Sequence, residues 1–189
     1  GCSVTLVDLP EIGLQIAEKR ARADGIGERA FTYVEDESDL PFDTASFDAI
    51  SHSDLLCCLM PKRKGLEECR RLVHPEGRMV FSVIFIRPGL DETQYERALT
   101  NAPDFVETDQ CYDTLLTQTG WQIAERFDLT DDYRQSCARQ VKADTAHQPE
   151  LVGLLGAEVA EERLAGWYSK LSAIEEGLYL RELYSCRPC

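Results

Sequence analysis

The chain has 189 residues, 43% of them hydrophobic, which suits one domain with its own core. Its 20 basic and 34 acidic side chains give a net charge of −14, which would repel a nucleic-acid backbone or an anionic lipid surface. No apolar run approaches the roughly 20 residues that a membrane span requires, so a soluble, cytoplasmic protein is expected.

Residues 3–8 form a β-branched, apolar run ending in Asp8, and Pro10 and Glu11 then open a segment with Ile12, Ile16 and Ala17 at helical spacing. This predicts strand, turn, helix, with the helix ending near Gly25. Residues 30–34 read as a second strand leading into the acidic cluster Glu35-Asp36-Glu37. A turn around Asp39-Leu40-Pro41-Phe42 leads to a third strand over 47–52. A helix over 61–73 carries Leu66, Cys69, Leu72 and Val73 on one face, and Pro75-Glu76-Gly77 predicts a turn.

Residues 78–86 hold the most continuous apolar run, as expected of a strand covered on both faces. A short helix and loop over 91–108, a helix over 112–119 and a strand over 121–129 follow. Two helical stretches, 131–146 and 157–176, precede a last strand over 178–186, where charged Arg181 and Glu182 suggest a less buried position. The eight cysteines are scattered through apolar segments and read as thiols rather than a disulfide framework.

Strands separated by helices predict an open, mostly parallel α/β sheet covered on both faces. Such sheets bind ligands at the carboxyl ends of their strands. That rule gathers Asp8, the Asp36 cluster and residues 52–54 at one rim, suited to a ligand rich in hydroxyl and amino donors.

Four pieces in order resemble the class I S-adenosylmethionine-dependent methyltransferases of the small-molecule type. Residues 1–9 (GCSVTLVDL) resemble the second strand of that family, 36–42 (DESDLPF) its acidic turn after the third, 46–50 (SFDAI) the fourth strand, and 66–81 the run through the fifth. The resemblance implies a Rossmann-like fold with an antiparallel last strand, S-adenosylmethionine as cofactor and a small-molecule methyl acceptor. Carried over residue by residue, it implies that Asp8 accepts the two ribose hydroxyls and Leu9 packs on the adenine. Asp36 would accept from the adenine amino group, the backbone at Glu37 would read the neighbouring ring nitrogen, and His52 would approach the methionine moiety. The bland readings are a helix cap for Asp8, a solvated turn for Asp36 and a structural imidazole for His52.

Two departures stand out. The family's first strand and glycine-rich loop would precede Gly1 and are missing, and Leu56-Cys57-Cys58-Leu59 stands where the family often has Leu-His-His-Leu. The missing strand belongs at the sheet centre. Losing about five buried apolar side chains would remove on the order of 10 kcal/mol, so a natural protein longer than this sequence, with 1–189 as one incomplete domain, is expected.

Methyl transfer from a sulfonium needs donor and acceptor in line and no protein nucleophile. His52 and Asp54, or Tyr112 or Tyr133, are candidate bases for an acceptor that must lose a proton. Arg87 and a helical insertion over 131–176, with Tyr133, Trp167 and Tyr168, are candidate walls of the acceptor pocket. The alternative is a non-catalytic methyltransferase-like scaffold that has lost cofactor binding. Cys186 and Cys189 have the spacing of a zinc half-site or redox pair, but no matching second pair accompanies them, and no metal is expected.

Overall fold

The computed structural model describes residues 1–36, 39–100 and 102–189. The expected α/β sheet with an antiparallel last strand is the architecture observed, and its hydrogen bonding falls into two pieces. In the first, β1 (Val4–Asp8) and β2 (Ala30–Val34) pair in parallel from Val4 opposite Ala30 to Asp8 opposite Val34. Between them α1 (Glu11–Ala23) buries Leu14 and Ala21; Glu11 in its first turn and Arg20 and Arg22 in its last complement the helix dipole. Gly25, at a φ of 71° open mainly to glycine, ends it as expected.

The second piece has the order β3-β4-β6-β5, built from β3 (Phe47–Ser53), β4 (Val73–Ile86), β5 (Trp121–Asp128) and β6 (Tyr179–Pro188). Strand β3 runs parallel to β4, and β6 runs antiparallel to both β4 and β5. The two pieces are tied by the stretch that follows β2. Phe42 packs edge-on against Tyr33 of β2 and Phe47 of β3, with ring centres 5.0 and 5.2 Å away. Arg71 donates to the carbonyls of Phe42 and Leu40, and Glu68 accepts from the Leu40 N–H at 2.8 Å. Both residues lie on α2 (Lys62–Leu72).

Helices cover both faces of the four-stranded sheet. Tyr184 packs against Tyr112 of α4 (Tyr112–Gln118), whereas Arg181, of opposite parity on the same strand, lies under Tyr133 of α5 (Thr130–Ala146). Phe81 and Val83 of β4, Leu66 of α2, Leu116 of α4, Trp121 of β5 and Tyr184 of β6 are all fully buried; each such apolar burial contributes about 1.5–3 kcal/mol. The Trp121 indole also needs a partner, and it donates to the Leu66 carbonyl at 3.1 Å.

Two expectations are corrected. The turn at 75–77 is instead a bulge inside β4: Phe47 faces Val73 while Ala49 faces Arg78, so residues 74–77 loop out opposite Asp48. Gly77 permits this, because a Cβ there would stand 2.6 Å from the Asp48 carbonyl and 2.7 Å from Val73. The last strand is interior rather than less buried, because its charged residues find partners: Glu182 accepts from Arg126 and Tyr184, both at 2.6 Å, and Arg181 binds Asp54. Residues 148–155, which fall between the two expected helical stretches, form a further helix, α6 (Gln148–Leu155). Gly156, at φ 87°, separates it from α7 (Ala157–Glu175). Between α5 and α7, Arg163 binds Asp144 at 2.7 Å. The short helix expected within 91–108 is α3 (Glu92–Leu99), opened by a reciprocal pair of bonds between Asp91 and Gln94.

Candidate active site

Because β1 and β2 end together, Asp8 and the turn carrying Asp36 lie at the same carboxyl end of that strand pair. Asp8 does not cap α1; its Oδ1 accepts from the N–H of Leu9 at 2.9 Å, and Pro10 stands at the cap position. The Leu9 side chain is 58% exposed although apolar. Asp36 is exposed and its carbonyl accepts from the Asp39 N–H at 3.1 Å. Glu37 lies outside the described residues. A cleft of about 560 Å³ runs along α1 and the amino half of β1, away from Asp8, and is lined mainly by apolar side chains.

His52 and Asp54 stand at the carboxyl end of β3. His52, Phe81 and Tyr184 are direct neighbours across β3, β4 and β6, and their rings stack at 4.9 and 5.1 Å. This ladder half-buries the imidazole and encloses its Nδ1, which has no hydrogen-bond partner among the described residues. Burial lowers the His52 pKa from 6.5 to about 4, with the nearby Asp54 charge pulling the other way. The ring is therefore neutral at neutral pH and keeps a free lone pair.

Asp54 adopts a left-handed backbone at φ 54° and is held there by several bonds. Its N–H donates to the Ser82 carbonyl at 2.8 Å, and its carboxylate accepts from Arg181 Nε at 3.1 Å, Arg181 Nη2 at 2.8 Å and Ser82 Oγ at 3.1 Å. The Asp54 carbonyl in turn accepts from the Cys57 thiol at 3.1 Å. Cys57 is buried and Cys58 exposed; burial pushes the Cys57 thiol up to about 12, so it stays protonated. Sequence reasoning missed Arg181 and Ser82 as members of this network. Only the tertiary fold joins positions 127 residues apart.

At the end of β4 a third group surrounds a cleft of about 450 Å³. Arg87 closes onto the segment before β6, its Nε donating to the Gly177 carbonyl at 2.6 Å. On the other side, the loop after α3 is clamped by Lys62, which donates to the Phe105 carbonyl, and by the Phe105 N–H, which donates to Cys57 O at 3.1 Å. Tyr112 lies between this loop and the sheet. Burial raises the pKa of Tyr112 and of Tyr133, so both phenols hold their protons at neutral pH. Trp167 packs against the core with Arg163 and Lys170 over its ring, and Tyr168 is exposed. Cys186 is buried on β6 while Cys189 is exposed.

The chain resembles known methyltransferases over part of its sequence and in its fold. Residues 1–81 match the family model described as a methyltransferase domain, and the fold is that of Rossmann-like methyltransferases. The chain is 26% identical over 163 residues to a glycine/sarcosine/dimethylglycine N-methyltransferase of Actinopolyspora halophila, covering 84% of this chain and 28% of that protein. It is 38% identical over 80 residues to a demethylmenaquinone methyltransferase of Clavibacter sepedonicus, covering 42% of this chain and 31% of that protein. In three dimensions it superposes with a TM-score of 0.82 and 18% identity on a phosphoethanolamine N-methyltransferase 2 of Haemonchus contortus. That structure contains phosphomonomethylethanolamine and S-adenosylhomocysteine, and the match covers all of this chain and 44% of that one. The chain thus spans less than a third of the length of both curated relatives. No helix among the described residues is long and apolar enough to cross a membrane.

Proposed function

We propose that the chain binds S-adenosylmethionine and transfers its methyl group to a small-molecule acceptor. One observation carries the reading: the register of β1 and β2 brings Asp8 and the Asp36 turn to a single carboxyl margin, where open α/β sheets bind their ligands. The match of residues 1–81 to a methyltransferase domain supports it.

The residues at that margin fit a nucleoside. The exposed Asp8 carboxylate can accept both hydroxyls of a ribose diol, and the exposed apolar side chain of Leu9 beside it offers a face for adenine. Asp36 would accept from the adenine amino group, next to the backbone of Glu37. His52, with its orphaned Nδ1, would meet the methionine portion. When bound, the sulfonium supplies an activated methyl group. The work of the chain is to hold the partners in line and keep water out.

His52 is the candidate base for an acceptor that must lose a proton, and its pKa of about 4 limits it to an acidic one. Asp54, bound by Arg181 and Ser82, fixes the backbone at the end of β3. Helices over 131–176 and the Arg87 turn would wall the acceptor side, making 1–189 part of one methyltransferase domain. The acidic surface, with a net charge of −14, disfavours nucleic acid as acceptor.

Calorimetric titration of the full chain with S-adenosylhomocysteine tests the reading. Saturable binding is expected, weakened about tenfold or more in Asp8→Asn, a loss of about 1.4 kcal/mol, without a change in thermal stability. A folded chain with no affinity for the nucleoside would overturn the proposal and favour a non-catalytic scaffold.

A further inference from the structure

The cleft of about 450 Å³ at the end of β4 falls within the range of small-molecule sites, and its lining has a distinct chemistry. Its floor is aromatic: Phe85 and Tyr184 flank Tyr112, with ring centres 5.8 and 6.3 Å from it. Tyr112 is only 3% exposed, yet its hydroxyl has no hydrogen-bond partner among the described residues, and neither does the buried Oε1 of Gln110 in the same lining. A buried polar atom without a partner costs about 1–3 kcal/mol, and two in one cleft point to a ligand that hydrogen-bonds both.

The rim sets the sign of that ligand. Three carboxylates, Glu107, Asp109 and Asp113, stand on it, all exposed. Of its two arginines, Arg126 is paired with Glu182 at 2.6 Å and Asp113 at 3.3 Å, while Arg87 donates to the neutral Gly177 carbonyl and keeps its charge, so three rim carboxylates face two guanidiniums. Among the described residues Glu107 accepts a hydrogen bond from a neutral phenol, Tyr95, at 2.5 Å, and both it and Asp109 lie in the field of the Lys62 ammonium. Aromatic faces attract a cation through their quadrupole, most strongly when water is displaced. A Tyr oxygen and an amide oxygen can each accept an N–H. The wider surface, at −14, favours approach of positive charge.

We infer that this cleft binds a small organic ammonium, seated against Phe85 and Tyr112, with its N–H groups donating to Tyr112 and Gln110 and its charge answered by Glu107 and Asp109. As the acceptor site of a methyltransferase it rests on the reading above; as an ammonium site it stands on the cleft alone.

Amide NMR titration of the full chain with dimethylammonium chloride tests it, with isopropanol and sodium acetate as neutral and anionic probes of similar size. Saturable shifts confined to residues 85–90 and 106–113 are expected, about fivefold weaker with isopropanol and absent with acetate. Glu107→Gln combined with Asp109→Asn, both at the exposed rim, should weaken dimethylammonium by about fivefold. Tyr112→Phe should do the same, and if it disturbs folding the rim variant decides. Shifts scattered over the acidic surface, isopropanol binding equally well, acetate binding in the cleft, or rim variants without effect would each overturn the inference. S-adenosylhomocysteine titrated in parallel separates the two readings. Nucleoside binding without ammonium binding sinks this site alone, and ammonium binding without nucleoside binding sinks the methyltransferase reading and leaves the site.

Discussion

Protonation of His52 should be one of the main sources of acid sensitivity in this fold. Its folded pKa, about 4, lies below the ordinary 6.5 because the ring is half-buried between strands and stacked on Phe81. The unfolded chain therefore binds a proton between these values that the folded chain refuses, so the stabilisation is present above pH 6.5 and is lost as pH falls towards 4. A fall from 6.5 to about 4 corresponds in full to about 3 kcal/mol, and between pH 7 and pH 5 to about 2 kcal/mol. Urea unfolding at these two pH values, for the natural chain and for His52→Phe, isolates the effect. Phenylalanine keeps the stacking and removes both the titration and the unpartnered Nδ1. The natural chain should lose about 2 kcal/mol more than the variant, since every other titrating group is common to both. Equal losses in the two proteins would show that the imidazole is hydrated in the folded state, and the account of its burial would be wrong.

Two further substitutions probe the frame of the site. Gly77→Ala forces a Cβ against the Asp48 carbonyl and Val73, and should destabilise the chain by about 2 kcal/mol in urea unfolding, with residues 47–49 shifting most in amide NMR spectra. Arg181→Met strands the half-buried Asp54 carboxylate and should cost about 1–3 kcal/mol; combining it with Asp54→Asn should recover most of that loss, and strictly additive losses would refute the pairing.

Periodicity along the chain marked most of the elements. The β-branched run of β1, the glycine stop after α1 and the continuous apolar stretch of β4 are local properties, and local sterics and burial leave few other ways to fold them. The two acids after β1 and β2 were legible for the same reason, since each ends a strand and strands in parallel pairs end together. What the sequence alone left undecided depends on which strands become neighbours. Arg181 and Glu182 looked like surface residues because their charges carry no record of Asp54 and Arg126, the partners that let them lie inside the sheet. Likewise, Pro75-Glu76-Gly77 has the composition of a turn, and only pairing with β3 makes it a bulge. The burial of His52 and the unpartnered hydroxyl of Tyr112 arise from rings contributed by β4 and β6. Sequence determined where each segment could bend and which face it would bury, because those are set by adjacent residues. Tertiary structure decided which charges are neutralised and which polar atoms are left for a ligand, because both depend on contacts between distant parts of the chain.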